Sequence, residues 1–495
     1  MAAQSRASIN EASKASVSGG RDLLLAMEFR RGYLRRNLRS ALRAAIQEGR
    51  LASGTRLPSS RRLAADLSVS RGVVTDVYDQ LTAEGYLATV SRQAPIVAGA
   101  AGRPAVAAEA ARRVWRHDFV ATAPDVELFP RRAWLRASER AMRHATNDAL
   151  DYGDHRGRIE LRTALAEYLG RVRGLCVAPA HIVVTQGFTQ ALDLVCRVLA
   201  ARGATSMAFE TPSLADEWAT VRASGLRIEP VPVDADGLRT DRLSAVTAPA
   251  ILVTPAHQFP TGAVMAPARR TALIGWAAAG DRLIVEDDYD AEFRYDRRAI
   301  GALQGLDPGR VIHIGTASKT LAPGVRLGWM SLPAFLVDEV RALKAASDSG
   351  SPAIDQLVLA ELVASGDYDR HVARSRHIYR RRRDALIAAL RRTFRGPRIE
   401  GVAAGLHLVL RLPGDVDDRA VATAAAEAGI RVRALSDLSL TRAADRGLLL
   451  GYGRMGEEKV HAAVRALASV LRAGGAKIRP EVSAQPSAAR QPSSS

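Results

Sequence analysis

Residues 315–328 read GTASKTLAPGVRLG, and the stretch 284–293 upstream of them reads IVEDDYDAEF. The upstream stretch closes an apolar run with Asp287 and, two positions on, Tyr289. The downstream one carries a single lysine, Lys319, with Arg326 seven residues after it. In that order these are the parts needed to hold pyridoxal 5'-phosphate. Lys319 would form the Schiff base and Asp287 would face the pyridinium nitrogen, whose positive charge makes the ring an electron sink. Tyr289 would donate to the phenolic oxygen, and Arg326 would fork onto the phosphate. A lone Ser-Lys dipeptide is ordinarily a solvated surface charge. The ordered set is what points to a cofactor.

Upstream, HIVVTQGFTQALDLVCRVL (His181 to Leu199) reads as a short β-branched strand, a glycine turn and an amphipathic helix. Gly187, Phe188, Thr189 and Gln190 then lie at a helix N-terminus, where free N–H groups and the helix dipole favour a phosphate. ILVTPAHQFPTG (Ile251 to Gly262) is a further apolar strand running into a Pro/Gly-fixed loop, the place of substrate loops at the carboxyl ends of parallel strands. Strands near 182–185, 206–209, 251–254, 283–286 and 311–315 alternate with helical segments, which predicts an α/β layer.

The first hundred residues have a different character. After a Ser/Ala/Gly-rich tail, residues 1–25, Leu34, Leu38, Leu42 and Ile46 form an apolar stripe at helical spacing, with Arg35, Arg36, Arg39 and Arg43 mostly off it. Gly49 to Leu87 then predicts a short helix, a tight turn near Val69-Ser70, and a second helix with Val73, Val74, Val77, Tyr78 and Leu81 inward. Ser70 occupies the N-cap position of that second helix. The pattern is a helix-turn-helix followed by a wing.

Both halves resemble known families. Residues from about 118 to 476 resemble the type I aminotransferase fold, through the motifs above and through YGDHRGRIELRTALAEYL (Tyr152 to Leu169) and Pro260 to Gly262. That resemblance implies that Thr316 binds phosphate, and that Tyr152 reaches the phosphate of a neighbouring subunit in a head-to-tail homodimer. It also implies that one C-terminal arginine among Arg431, Arg433, Arg442 and Arg454 grips a carboxylate. Two positions depart from the family: Leu214 stands where an aromatic usually stacks on the ring, and Phe259, beside Gln258, where an asparagine usually supports the phenolic oxygen. Both departures argue against efficient transamination, which depends on exact ring positioning.

Residues 26–98 resemble the winged helix of GntR-family regulators, in which Arg61, Arg71 and Thr75, with Ser70 at the helix start, would reach bases or phosphates of a double-stranded operator. The wing, TVSRQAPIV (Thr89 to Val97), lacks the family's glycines, and Pro95 cannot donate to a ladder, so no base contact is assigned to Arg92.

The order of the halves is similar to that of the MocR subgroup. It implies a cytoplasmic, dimeric regulator whose aminotransferase-like domain, residues 115–476, senses an amino compound or a vitamin B6 vitamer through pyridoxal phosphate. The fold expected is an N-terminal α/β winged helix plus an α/β domain with a large mixed sheet and a smaller C-terminal subdomain. The competing readings are a working aminotransferase with an accessory DNA-binding domain, and a regulator whose pocket is vestigial.

Composition fits without deciding. The chain has 495 residues, 47% of them hydrophobic, and a net charge of +18 that suits a polyanion. Cys176 and Cys196 are too few for a disulfide framework, as in a reducing cytosol, and no apolar run is long enough to span a membrane. No paired-His spacing calls for a metal. Ala/Gly-rich residues 99–114 read as a linker, and the Ser/Pro/Ala-rich tail 477–495 as disordered. Arg380 to Arg383 read as the solvated face of a long helix with Ile378, Leu386 and Leu390 inward. His257 and His407 are placed in loops near the cleft and, with no partner visible in sequence, are given no role.

Overall fold

The computed structural model describes residues 33–88, 94–98, 114–295, 300–401, 403–441 and 446–473. Both tails, Arg92, Arg442 and nearly all of the proposed linker lie outside the described residues. The chain divides into two compact units, Met1–Arg113 and Val114–Ser495.

In the first unit, α1 (Leu34–Gln47), α2 (Ser60–Asp66) and α3 (Arg71–Ala83) precede the antiparallel pair β1 (Leu87–Ala88) and β2 (Ile96–Val97). Leu38, Leu42 and Ile46 of α1 meet Leu63 of α2 and Val74, Val77, Tyr78 and Leu81 of α3 in one core. Leu34 and Val73, expected inward, are only half-buried, each lying at the rim where its helix begins. The wing strands are two residues each, and Pro95 stands just outside the ladder, where a missing N–H costs nothing and its carbonyl accepts from the Leu57 N–H at 2.8 Å.

The second unit opens with β3 (His117–Asp118), α4 (Arg131–His144) and α5 (Ile159–Arg173). The alternating run follows: β4 (Ile182–Thr185), α6 (Phe188–Ala201), β5 (Ser206–Thr211), α7 (Ala215–Ala223), β6 (Arg227–Asp234), β7 (Gly237–Leu238), β8 (Ala250–Val253), α8 (Pro267–Ala279), β9 (Leu283–Asp288), β10 (Val311–Thr316) and β11 (Gly328–Ser331). Helices α9 (Val337–Asp348), α10 (Ala353–Ala364) and α11 (Asp367–Thr393) lead to the C-terminal elements. These are β12 (Ile399–Glu400), β13 (His407–Arg411), α12 (Asp418–Glu427), β14 (Ile430–Arg431), β15 (Arg433–Ala434), β16 (Gly447–Gly451) and α13 (Glu457–Ala473).

Eight strands form one mixed sheet in the order β4-β11-β10-β9-β8-β5-β6-β7, in which β5, β6, β8, β9 and β10 run parallel and β7 and β11 run against their neighbours. Strands β4, β5, β8, β9 and β10 are buried along their whole lengths, as the near-continuous apolar runs of a sheet covered on both faces require. Leu192, Val195 and Leu199 of α6 pack on one face with Trp218 of α7. Leu273 and Ala277 of α8, and Leu165 and Leu169 of α5, cover the other.

A four-stranded antiparallel sheet, β12-β13-β16-β15, carries α11 and α13 through Leu386, Leu390, Val464 and Leu467. The basic run on α11 is not uniformly solvated. Arg382 turns inward to Asp125 at 2.8 Å and to the Gly453 carbonyl, and Arg383 is half-buried, while Tyr379 takes the buried place expected of Ile378. Arg382 can do this because Asp125 offers it a buried carboxylate.

Candidate functional site

The carboxyl ends of β4, β5, β8, β9 and β10 meet at one cavity of about 210 Å³, lined by Thr122, Phe188, Thr189, Leu214, Glu217, Phe259, Asp287, Tyr289, Thr316, Ser318, Lys319, Pro323 and Arg326. Lys319 follows β10, and its Nζ lies 3.5 Å from Thr122 Oγ1. Burial depresses its pKa below the usual lysine range, against the pull of Asp290 and Asp287. Less of the amine is therefore protonated, as a nucleophilic lysine needs.

Asp287 ends β9. Its carboxyl is pushed well above the carboxylate range by burial and by Glu217 and Asp288 nearby, and its Oδ1 is buried without a hydrogen-bond partner. A buried, unpaired acceptor facing a cavity is what a cationic ring nitrogen would satisfy. Asp288, by contrast, points away and is fully engaged: Arg173 Nε at 2.6 Å and His313 Nε2 at 3.0 Å hold it, and Arg173 and His313 keep its carboxyl ionised.

Gly187 is the N-cap of α6 at φ 103°, a conformation that side chains avoid, and a Cβ there would meet the Arg326 guanidinium at 3.2 Å. Arg326 itself sits at φ 52°, turned back over this helix end. Cation and helix N-terminus thus converge on one anion-sized place. The Thr316 hydroxyl is 3.0 Å from Ser318 Oγ and accepts from the Ser318 N–H at 3.1 Å. Gln190 is turned aside, with its amide on the Gln186 N–H and Asp348. Gln258 does not stand in for the missing asparagine, since its amide is tied to the carbonyls of Pro212 and Phe259 and to Thr261.

The structure does not bring every expected residue here. Tyr152 is 88% exposed and lies in a different concavity with Asp154, Arg158 and Gly350. Of the C-terminal arginines, Arg431 faces Asp118 at 3.9 Å and Arg433 lies in β15, whereas the charge of Arg454, just after β16, reaches Lys319.

In the first unit, Ser59 caps α2 by accepting from the Arg62 N–H at 3.3 Å, and the Tyr78 hydroxyl fastens α3 to the Pro58 carbonyl at 2.9 Å. Arg61 and Arg71 project from the first turns of α2 and α3 into solvent. Ser70 holds the N-cap position of α3, but its hydroxyl caps nothing, and Arg71 Nε reaches across to Ser60 Oγ at 3.4 Å. The Thr75 hydroxyl donates back to the Arg71 carbonyl at 3.1 Å, which leaves its lone pairs outward.

Residues 123–466 match the family "Aminotransferase class I and II", and residues 34–97 match "Bacterial regulatory proteins, gntR family". The probable rhizopine catabolism regulatory protein MocR of Rhizobium meliloti is 31% identical over 462 residues, covering 88% of this chain and 94% of that protein. The chain is a MocR-type regulator of the gntR family.

The uncharacterized regulator YhdI of Bacillus subtilis is 32% identical across 85% of this MocR-type chain and 92% of its own. A crystal structure of an archaeal alanine:glyoxylate aminotransferase is 28% identical, with a TM-score of 0.67, over 73% of this chain and 91% of the enzyme. Thr122, Glu217, Ser318 and Pro323 of the regulator's cavity escaped the sequence, and His257, placed near the cleft but given no role, touches it through Tyr289. His407, expected in a loop, is the first residue of β13. Its neighbour His257 is 3.1 Å from both Asp290 oxygens and from the Tyr289 hydroxyl. Asp290, directly after Tyr289 of the Asp287-x-Tyr289 motif, was the one available signal.

Proposed function

We propose that this regulator holds pyridoxal 5'-phosphate in the cavity and uses it to sense a small amino compound or a vitamer, with DNA binding by the winged helix as the output. The observation that carries the reading is the convergence of Lys319, the unpaired buried Asp287 carboxyl and the Arg326–Gly187 anion site on one cavity. The cofactor would supply an electrophilic carbon for a primary amine.

The chain's own groups would bind and orient it. Arg326 and the α6 N-terminus, with Thr189, Thr316 and Ser318 beside them, take the phosphate, Asp287 the ring nitrogen and Tyr289 the phenolic oxygen. Leu214 and Phe259 exclude water from the ring. Arg454, whose field reaches Lys319, is the arginine we assign to an effector carboxylate. The relatives' names fit such a class of ligand: PdxR of Corynebacterium glutamicum is named a pyridoxine biosynthesis regulator and MocR a probable rhizopine catabolism regulatory protein.

An exposed Tyr152, out of reach of its own cavity, supports the reading that it serves a second copy's site in a head-to-tail dimer. Arg61, Arg71 and Thr75 then meet the operator from two winged helices. The deciding experiment compares wild type with Lys319→Ala. The wild type should absorb in the visible after loading with pyridoxal phosphate, and the variant should lose that band while keeping its circular dichroism. A band that survived the change would overturn the reading. Sustained keto-acid production, about one turnover per second or faster, would instead favour a working aminotransferase.

A further inference from the structure

We propose that His257 and Asp290 form a positioning pair that fixes the direction of the Tyr289 hydroxyl proton, so that the phenol donates into the cavity rather than back into the protein. The inference rests on the cavity being the cofactor site. His257 Nδ1 is 3.1 Å from each Asp290 oxygen, and both side chains are buried. A carboxylate only accepts, so Nδ1 carries the hydrogen. The opposite tautomer would aim a lone pair at the carboxylate and leave an N–H on Nε2, which is buried without a partner.

The Tyr289 oxygen lies 3.1 Å from the same Nδ1. A nitrogen that already bears a hydrogen cannot accept another. The phenol proton must therefore point elsewhere, and the free side of Tyr289 is the cavity wall it shares with Asp287 and Lys319. Asp290 thus sets the tautomer and the tautomer sets the phenol, an orientation role of the kind a buried aspartate plays for a histidine elsewhere.

The imidazole has no room to turn away. Gly405, at φ 71°, lies so close that a Cβ would meet its Cε1 at 2.1 Å, and a Cβ on Gly262 would meet its Nε2 at 3.3 Å. On the far side stands His407, whose ring centre is 5.3 Å away. Its Nε2 faces the Pro260 carbonyl at 3.0 Å, and burial and His257 push its pKa down to about 3, so it adds no charge. The groups facing His257 are then Asp290 and Tyr289 after β9 and His407 from β13, with Lys319 after β10 acting on Asp290 through space.

The test uses the full chain loaded with pyridoxal phosphate and follows the pH midpoint of its visible absorbance. Donation to the phenolic oxygen stabilises the deprotonated oxygen and lowers that midpoint. Tyr289→Phe should therefore raise it by about one unit. Asp290→Asn presents an amide donor to His257, turns Nδ1 into an acceptor and draws the phenol proton back. It should raise the midpoint to the same degree, and the double variant should move no further than Tyr289→Phe alone. An Asp290→Asn midpoint equal to wild type, or a double variant with additive shifts, would overturn the proposal.

Nitrogen-15 histidine labelling of the wild type without cofactor decides the same point where a variant does not fold. His257 should show a protonated Nδ1, and an unprotonated Nδ1 sinks the inference. A wild type that forms no visible band defeats the cofactor reading instead, and the tautomer result stands apart from it.

Discussion

Glu217 lines the cavity on α7, and burial, then Glu210 and Asp216, push its carboxyl up to about 8, while burial raises Glu210 to about 7. Both carboxyls stay neutral in the folded protein at a pH where the unfolded chain has ionised them. Their contribution to stability is complete below pH 4.5, the unfolded value, and is lost as pH rises toward 8. Urea unfolding of the cofactor-free protein should show wild type losing stability relative to Glu217→Gln between pH 5 and 8, with a constant difference refuting the assignment. At this scale the sequence was legible where two short segments carry the residues that line the cavity, as with Asp287, Tyr289, Lys319 and Arg326. It was illegible where topology makes the pair. His257 and Asp290 are 33 residues apart and meet because β8 and β9 are neighbours. Glu217, one turn into a helix, looks like any solvated acid until the strand ends close over it.

Helix α1 shows how an element is fixed by its stripe. Leu42 is fully buried between α1 and its neighbours, so Leu42→Ala should cost about 2–5 kcal/mol. All five tryptophans, at 115, 134, 218, 276 and 329, belong to the second unit. A melt of this variant should therefore lose helical circular dichroism early while tryptophan emission holds its wild-type transition. Parallel loss of both signals would mean that the units unfold together. Periodicity revealed α1 and α3 because burial on a repeating face leaves a repeating pattern, and apolar runs revealed β4, β5, β8, β9 and β10, which are buried on both faces. Neither gave a sign of β11, four residues between glycine and serine, or of the paired short strands β14 and β3, whose partners are some 300 residues apart. The inward turn of Arg382 was hidden likewise, since charge alone reads as solvated.

For the whole molecule, the contact proposed between Arg71 and the operator is open to a direct test. Arg71→Ala should weaken full-length binding by roughly 1–3 kcal/mol and relax sequence preference if the guanidinium reads a base. If it meets phosphate, affinity should fall evenly on all sequences and the salt slope should drop by about one. Fluorescence anisotropy at several salt concentrations separates the two, and unchanged binding would remove Arg71 from the interface. The segment that presents Tyr152 also covers a sheet edge. Strand β4 is an outer edge of the eight-stranded sheet, and the Arg156 carbonyl accepts from its Val184 N–H at 2.7 Å, while Gly157, at φ 100°, lies so close that a Cβ would meet Val184 at 2.7 Å. That backbone acts as a cover strip over open strand hydrogen bonds, which otherwise template aggregation. Any residue larger than glycine at 157 would lift the strip, and poor solubility in such a variant would then reflect an uncovered sheet edge and not a lost ligand.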